Sequence, residues 1–455
     1  MGLAVGRAEA PEDTVRMAPE PLRGCGLSPL TPDAVPSSLM RGPLLLLVSA
    51  GLACSFESAA LSVESGDLME TDTGTGPGST TVASTSGSSS GPTGFSSTIG
   101  ATDPVLTTNA ESDDTEDAVA FVQELELKGA SDYDFPEVPL LVTLTAENSR
   151  WNAIAPDLSN LRFVGRAGGD DIELPFEVGG VGDEWAQLWV LVPEVSSEAD
   201  RFRVEYGMGV RPSVWTPGDV WSAYEAVWHL GEDPGNRKPQ YLDSSGNGRH
   251  ITNPDNDSIP SGDMVPGIVG RAPRFNEDRE LQITNSQWPD SNIGDRFTVE
   301  AWVQYEEVPP SAFRWIVRKA DTYELVGSRN QPEPLTSPAW SVHDGSEFRY
   351  TQASGESWNQ GPGVWNYAAA TFERNMAQGQ VRTALFLDGV EAAREDSADY
   401  QPAQSQADFR IGSQLTAVVD EVRVSFEVRP PQWFELQNRS MRDDLLQYGE
   451  PMPLP

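Results

Sequence analysis

A chain with 69 acidic and 31 basic residues invites a search for paired carboxylates. Cleaving a glycosidic bond takes two carboxyl groups facing one linkage. The pattern Glu-x-Asp-x-x-Glu and its close variants are absent from the strand-like segments. Asp420-Glu421 is the nearest pair, but successive strand residues point to opposite faces, so these two are not expected to meet. The histidines are His229, His250 and His343, and their flanks show neither metal-ligand spacing nor a nucleophile elbow. His229 alternates with Val227 and reads as a structural histidine. The cysteines, Cys25 and Cys54, precede the folded region, so the globular part has no disulfide or thiolate metal site. No catalytic residue is assigned, and the chain reads as a non-enzyme.

Binding chemistry is better represented. Glu300 and Trp302 share the strand face opposite Phe297, Val299, Ala301 and Val303. An indole beside a carboxylate suits a sugar, the ring stacking on the pyranose and the acid accepting hydroxyls; the competing reading is a second buried layer. Trp340, Trp358 and Trp315 are further candidates, expected in or near loops. By alternation Asp420 shares a face with Val418, Val422 and Val424, where a carboxylate needs a compensating arginine or Ca²⁺. The loop from Asp243 to Gly248 offers Asp243 and Asn247 with glycine-freed carbonyls, and Asp243, Asn247 and Asp420 are the candidate metal ligands; the alternative is a turn in which the side chains bond their own backbone.

The elements that position these residues come late in the 455-residue chain. Residues 1–39 fit neither a signal nor a domain and read as an upstream extension, with translation expected from Met40. Arg41 and the run Leu44 to Val48 form a short export signal, too short to span a bilayer permanently. The signal ends at Leu52-Ala53-Cys54-Ser55 and resembles a bacterial lipoprotein signal, which makes Cys54 the expected lipidation site, although Gly51 stands where that pattern prefers leucine. Residues 55–118 are a Ser/Thr/Gly-rich tract without periodicity, a disordered tether; about 50 such residues span roughly 40 Å. The formal net charge of −38 excludes nucleic acid and argues against direct contact with anionic membranes. Membrane contact is expected only through the lipid. The protein is expected outside the cytoplasm, at a bacterial outer membrane or cell surface, with secretion as the alternative.

Two strand-rich regions follow, an all-β pattern of two β-sandwich domains. Residues 119–216 carry Phe135 to Leu144, Leu161 to Phe163, Leu174 to Glu177, Trp189 to Pro193 and Val204 to Gly207. In these motifs the region resembles a bacterial domain of unknown function that precedes LamG-like modules. Residues 217–455 carry Ala226 to Leu230, Gly270 to Phe275, Phe297 to Val303, Trp365 to Phe372, Leu385 to Gly389, Phe409 to Ser413 and Val419 to Val424. In this order they resemble the LamG-like jelly roll of the concanavalin A-like superfamily. That resemblance implies a binding module for carbohydrate or a surface-protein partner, supported by a structural calcium. Its rivals are a glycoside hydrolase or polysaccharide lyase of the same superfamily, and an adhesive spacer with no small ligand.

Overall fold

Alternation of apolar and polar residues produces strands almost throughout. A computed structural model describes residues 119–455 except 212, 236–237, 255–258, 289–292, 307–312, 329–336 and 354–360. All described residues belong to one unit, Asp103–Pro455. The Cys54 signal, the tether and Trp358 lie outside them.

The first module contains β1 (Ala120–Leu127), β2 (Phe135–Thr145), β3 (Leu161–Ala167), β4 (Asp170–Leu174), β5 (Phe176–Val181), β6 (Trp185–Val195) and β7 (Arg201–Gly207). One sheet has the order β1-β7-β3-β4 and the other β2-β6-β5. Pro175 divides what reads as a single run: Leu174 ends β4 in one sheet and Phe176 starts β5 in the other. Proline cannot donate to a ladder, so it marks the corner where the chain changes sheets. Helix α1 (Pro217–Trp221) leaves this module, capped by Thr216 and Asp219.

The second module begins with β8 (Ala226–Trp228), β9 (Met264–Pro266), β10 (Arg271–Phe275), β11 (Leu281–Ile283), β12 (Arg296–Gln304), β13 (Arg314–Lys319), β14 (Tyr323–Ser328), β15 (Ala339–His343) and β16 (Phe348–Gln352). It continues through β17 (Trp365–Asn375), β18 (Gln380–Leu387), β19 (Val390–Ala398), β20 (Phe409–Ile411) and β21 (Ala417–Ser425). An eight-stranded sheet, β19-β18-β17-β12-β21-β10-β9 with β8 on β21, faces a six-stranded sheet, β11-β20-β13-β14-β15-β16. Phe297, Val299, Ala301 and Val303 point into the core between them, as alternation predicts. The all-β, two-sandwich reading therefore holds.

The chain end departs from the expected boundaries. After β21 come α2 (Pro431–Met441), β22 (Leu446–Tyr448) and β23 (Met452–Pro453). Both short strands pair with β1, so the last part of 217–455 completes a sheet of the first module. Helix α2 covers the free edge of β2. The Leu141 N–H donates to Ser440 Oγ at 2.8 Å, the Thr143 N–H to the Tyr448 hydroxyl at 2.9 Å, and Gln437 Nε2 to the Pro139 carbonyl at 3.0 Å. An uncovered edge would be a template for association, and these side chains occupy it.

Gln437 also accepts from Arg423 at 2.9 Å. Gln437→Leu removes both bonds and leaves two buried groups unsatisfied. At about 1–3 kcal/mol for each such group, we expect a loss of about 3 kcal/mol in urea unfolding, with both modules melting in one transition. Separate transitions, or no loss, would contradict this packing.

Candidate functional site

A bulge interrupts the pairing of β21 with β12. Partner residues across from β12 run Glu300 to Arg423 and then Trp302 to Asp420, so Glu421 and Val422 together oppose Ala301. Glu421 takes the strained left-handed conformation, φ 49°, that such a bulge requires. The extra residue changes which way side chains point. Ala417, Val419, Val422 and Val424 face the interior core, while Asp420 and Glu421 both lie outside it. The expectation that these carboxylates occupy opposite faces, with Asp420 beside Val422 and Val424, is thus corrected.

That outer face is not open to solvent. Glu300 and Trp302 are 1% and 0% exposed, covered by the first module and by α2, with Trp302 Nε1 against Met441 Sδ. Glu300 accepts from the Tyr367 hydroxyl, and burial raises its pKa against the opposing pull of Arg423. Trp340 sits in β15, not in a loop, and is 0% exposed among Phe297 and Tyr323. Trp315 sits in β13 under the Arg318 guanidinium. None of Glu300, Trp302 and Trp340 can therefore stack on or bond a sugar from solvent.

The metal candidates have other partners. Asp243 Oδ1 accepts from the Val227 and Ser245 N–H groups, and Oδ2 from Ser245 Oγ and the Arg249 N–H. Asn247 donates to the Tyr224 and Glu225 carbonyls. Asp420 accepts from the N–H groups of Ile268, Val269 and Glu421 at 2.8–3.1 Å. Gly267 permits that approach, since a Cβ there would lie 2.5 Å from Asp420 Oδ2. Burial and the Glu421 charge push the Asp420 pKa well above the usual carboxylate range. The three side chains staple backbone instead of converging, and among the described residues no group of three acid, histidine or cysteine side chains is placed to hold a metal.

The outer face instead carries a chain of buried ionic contacts. Arg423 donates to Glu421 at 2.7 Å and lies over the Trp189 and Trp221 rings, 4.4 and 4.7 Å from their centroids. Glu421 bonds His229 Nδ1 at 2.8 Å, and His229 Nε2 bonds Glu177 of β5 at 3.1 Å. Trp221 Nε1 and Ser244 Oγ donate to Glu177 at 2.6 and 2.8 Å. Burial opposes the His229 charge, but Glu421 and Glu177 outweigh it and hold the pKa well above its ordinary value. Burial likewise opposes both carboxylates, but the cations beside them hold each below its ordinary value. His229 is thus the satisfied structural histidine the sequence suggests, although its partners come from both modules.

Beside this chain opens a cleft of about 600 Å³ between the modules. Its walls are β5 (Glu177 to Val181) and Trp185 on one side, with Gly231, Glu232, Leu242, Gly270 and Arg271 on the other. Its floor depends on close backbone contact: a Cβ on Gly180 would lie 2.6 Å from Gly270 Cα, and Gly270 itself has φ +59°. Val178, Val181 and Leu242 are exposed apolar groups at its edge. Leu230, at φ 59°, adds strain next to it. The Leu242 N–H donates to Glu232 Oε1 at 2.8 Å, while Glu232 Oε2 has no partner. Burial raises the Glu232 pKa. The strands around Trp185 and Val178 were legible in the sequence, but their role was not, because the opposite wall comes from a distant loop.

The family model for the concanavalin A-like lectin/glucanases superfamily matches residues 276–433. Residues 276–433 form a concanavalin A-like domain. Solved structures are similar at greater distance. The receptor binding domain of botulinum neurotoxin D is 11% identical over 48% of this chain and 52% of its own, with a TM-score of 0.35. The binding domain of Paraclostridial Mosquitocidal Protein 1 is 11% identical over 50% and 53%, with a TM-score of 0.36. Domain 4 of AbnA, an extracellular arabinanase from Geobacillus stearothermophilus solved with arabinotriose, is 19% identical over 47% and 99%, with a TM-score of 0.34. The chain spans about half the length of the toxin binding domains it matches. No curated protein sequence matches it.

Two outcomes follow. The raised His229 pKa contributes stability that is complete below 6.5 and is lost as pH rises from there through the folded-state value. The lowered Glu177 and Glu421 pKa values contribute stability present above 4.5 and lost as pH falls through their folded-state values. The melting temperature should therefore be greatest between these limits, and His229→Gln should flatten the alkaline limb; an unchanged limb would show that His229 is not charged. Because the Asp243 oxygens are occupied by three backbone N–H groups and Ser245 Oγ, the melting temperature should be equal in millimolar calcium and in chelator, and a calcium-dependent rise would restore the metal reading.

Proposed function

We propose that the protein is a cell-surface carbohydrate-binding protein whose ligand site is the cleft between its two modules. The cleft geometry carries this reading. It is largely preformed, about 600 Å³, and combines apolar walls with a few polar groups, the usual character of a small-ligand site. Trp185 offers a half-buried ring, while the Glu232 carboxyl and His250 offer hydrogen bonds. The concanavalin A-like domain supports carbohydrate as the class, though the site lies on its rim and not on the strand face first expected. The first module, whose motifs resemble a bacterial domain of unknown function, supplies the second wall.

Export, lipidation at Cys54 and display on the 55–118 tether belong to the same proposal. They rest on the signal-like segment and the composition after it. Intact mass of the mature protein tests them: the expected species begins at a lipidated Cys54, and a mature N-terminus near Met1 would sink the idea.

One observation favours hydrolysis as a second reading. Glu232, with its pKa raised, shares the cleft with Glu177, whose pKa is lowered, and divergent carboxyls are the mark of an acid/base pair. Binding is preferred because both Glu177 oxygens are engaged by Trp221, His229 and Ser244. A glycan array with the full chain, followed by titration of the best binder, tests the cleft. Trp185→Ala and the milder Leu242→Ser should each weaken binding, the first by about tenfold or more. Undiminished binding in both variants places the ligand elsewhere. Release of new reducing ends from the bound glycan would replace the binding reading with hydrolysis.

A further inference from the structure

The junction cleft holds one arginine that no acid among the described residues pairs. Among the described arginines, Arg150, Arg211 and Arg271 make no ion pair, in a chain whose formal charge is −38. Of these three only Arg271 lines the cleft. It is exposed, and it is held in place at both ends. One terminal nitrogen donates to the Met264 carbonyl at 2.7 Å, which fixes the plane of the guanidinium and leaves its other donors unused. Its backbone pairs with Pro266 in the β9–β10 hairpin. The turn of that hairpin is pinned by Asp420 through the Ile268 and Val269 N–H groups, and by Gln187 of β6, which accepts from the Gly270 N–H at 2.7 Å.

The acids lining the cleft do not balance this charge. Glu177 is matched by His229, and the Asp243 carboxylate accepts from four donors, the Val227 N–H of β8 and three groups of its own loop. Burial favours the neutral form of Glu232. His250 adds another donor: its Nδ1 accepts from the Asp243 N–H, which leaves Nε2–H as the donor. The polar part of the cleft therefore offers the Arg271 guanidinium, which makes no ion pair among the described residues, and the His250 ring within an apolar frame.

We infer that the cleft selects glycans bearing carboxylates, uronic acids, with the Arg271 guanidinium pairing the carboxylate and His250 offering a further hydrogen bond in the same cleft. This deepens the carbohydrate reading and rests on it. A planar guanidinium matches a carboxylate with two parallel hydrogen bonds. The net charge makes the preference local. At the distances over which an acidic protein surface acts, a polyanionic glycan is repelled, and only within contact range does the fork of Arg271 outweigh that field. A neutral sugar meets no such barrier and gains no such contact.

Isothermal titration of the full chain with galacturonate, glucuronate and mannuronate oligomers, their methyl esters and neutral oligomers of equal length tests the inference. At least one acid should bind about tenfold more tightly than its ester. Arg271→Gln, a change at an exposed side chain, should erase that difference by bringing the affinity for the acid down to that for its ester. Equal binding of acid and ester, or a preference that survives Arg271→Gln, overturns the carboxylate assignment. Binding of neutral oligomers that Trp185→Ala abolishes, without any acid preference, overturns this inference and leaves the cleft reading standing. Binding of an acid that is indifferent to Trp185→Ala overturns both, as does the absence of binding by every oligomer.

Discussion

A buried guanidinium cannot be left without partners, and the arrangement around Arg423 shows what it takes to keep one. Its charge is met by Glu421 and Gln437 and by the faces of Trp189 and Trp221, groups drawn from β21, α2, the first module and α1. Stripping a buried charge of its partner costs about 3–5 kcal/mol, so each of these groups is held wherever Arg423 is held. Glu421 reaches both Arg423 and His229 only because β21 carries a bulge there. From His229 the contacts pass to Glu177, and from Gln437 to Pro139, so the sequence of bonds starts and ends on the first module. The two positive and two negative groups balance, while burial favours the neutral forms of Glu300 and Asp420.

This constraint decides where a ligand can go. The outer face of the eight-stranded sheet is taken by the junction, so its glutamate and tryptophan serve packing. Joining a concave loop region to the edge of β5 leaves space that neither surface would form alone. The glycines at positions 180 and 270 bring the backbones together at the bottom of that space, and the apolar side chains at positions 178, 181 and 242 are left exposed at its edge.

Much of the fold was legible because it depends on local alternation. The strands containing Phe297 to Val303, Trp365 to Phe372 and Phe202 to Gly207 fall where period two places them. Asp388-Gly389, both at positive φ, form the hairpin turn their sequence signals. The strands β13 to β16 are flanked by turn-rich sequence such as Asn330 to Pro338 and Asp344 to Glu347, which makes Trp315 and Trp340 read as loop residues. The candidate site was less legible. Alternation separated Glu300 and Trp302 from the core side correctly, but no local pattern tells whether an outer face meets water or another module. The bulge at Glu421 adds one residue and so reverses the alternation rule for Asp420. The return of β22 and β23 to β1 is a contact across most of the folded chain, invisible to any local rule.

On the proposed reading the ligand lies in the space between the modules, against β5 and the loops facing it. Hydrogen–deuterium exchange of the full chain with and without the glycan selected on an array measures this directly. Slowed exchange is predicted at Glu177 to Val181, His229 to Glu232, Leu242 to Ser244 and Gly270 to Arg271. Protection confined to the six-stranded sheet, from Arg314 to Gln352, would contradict it.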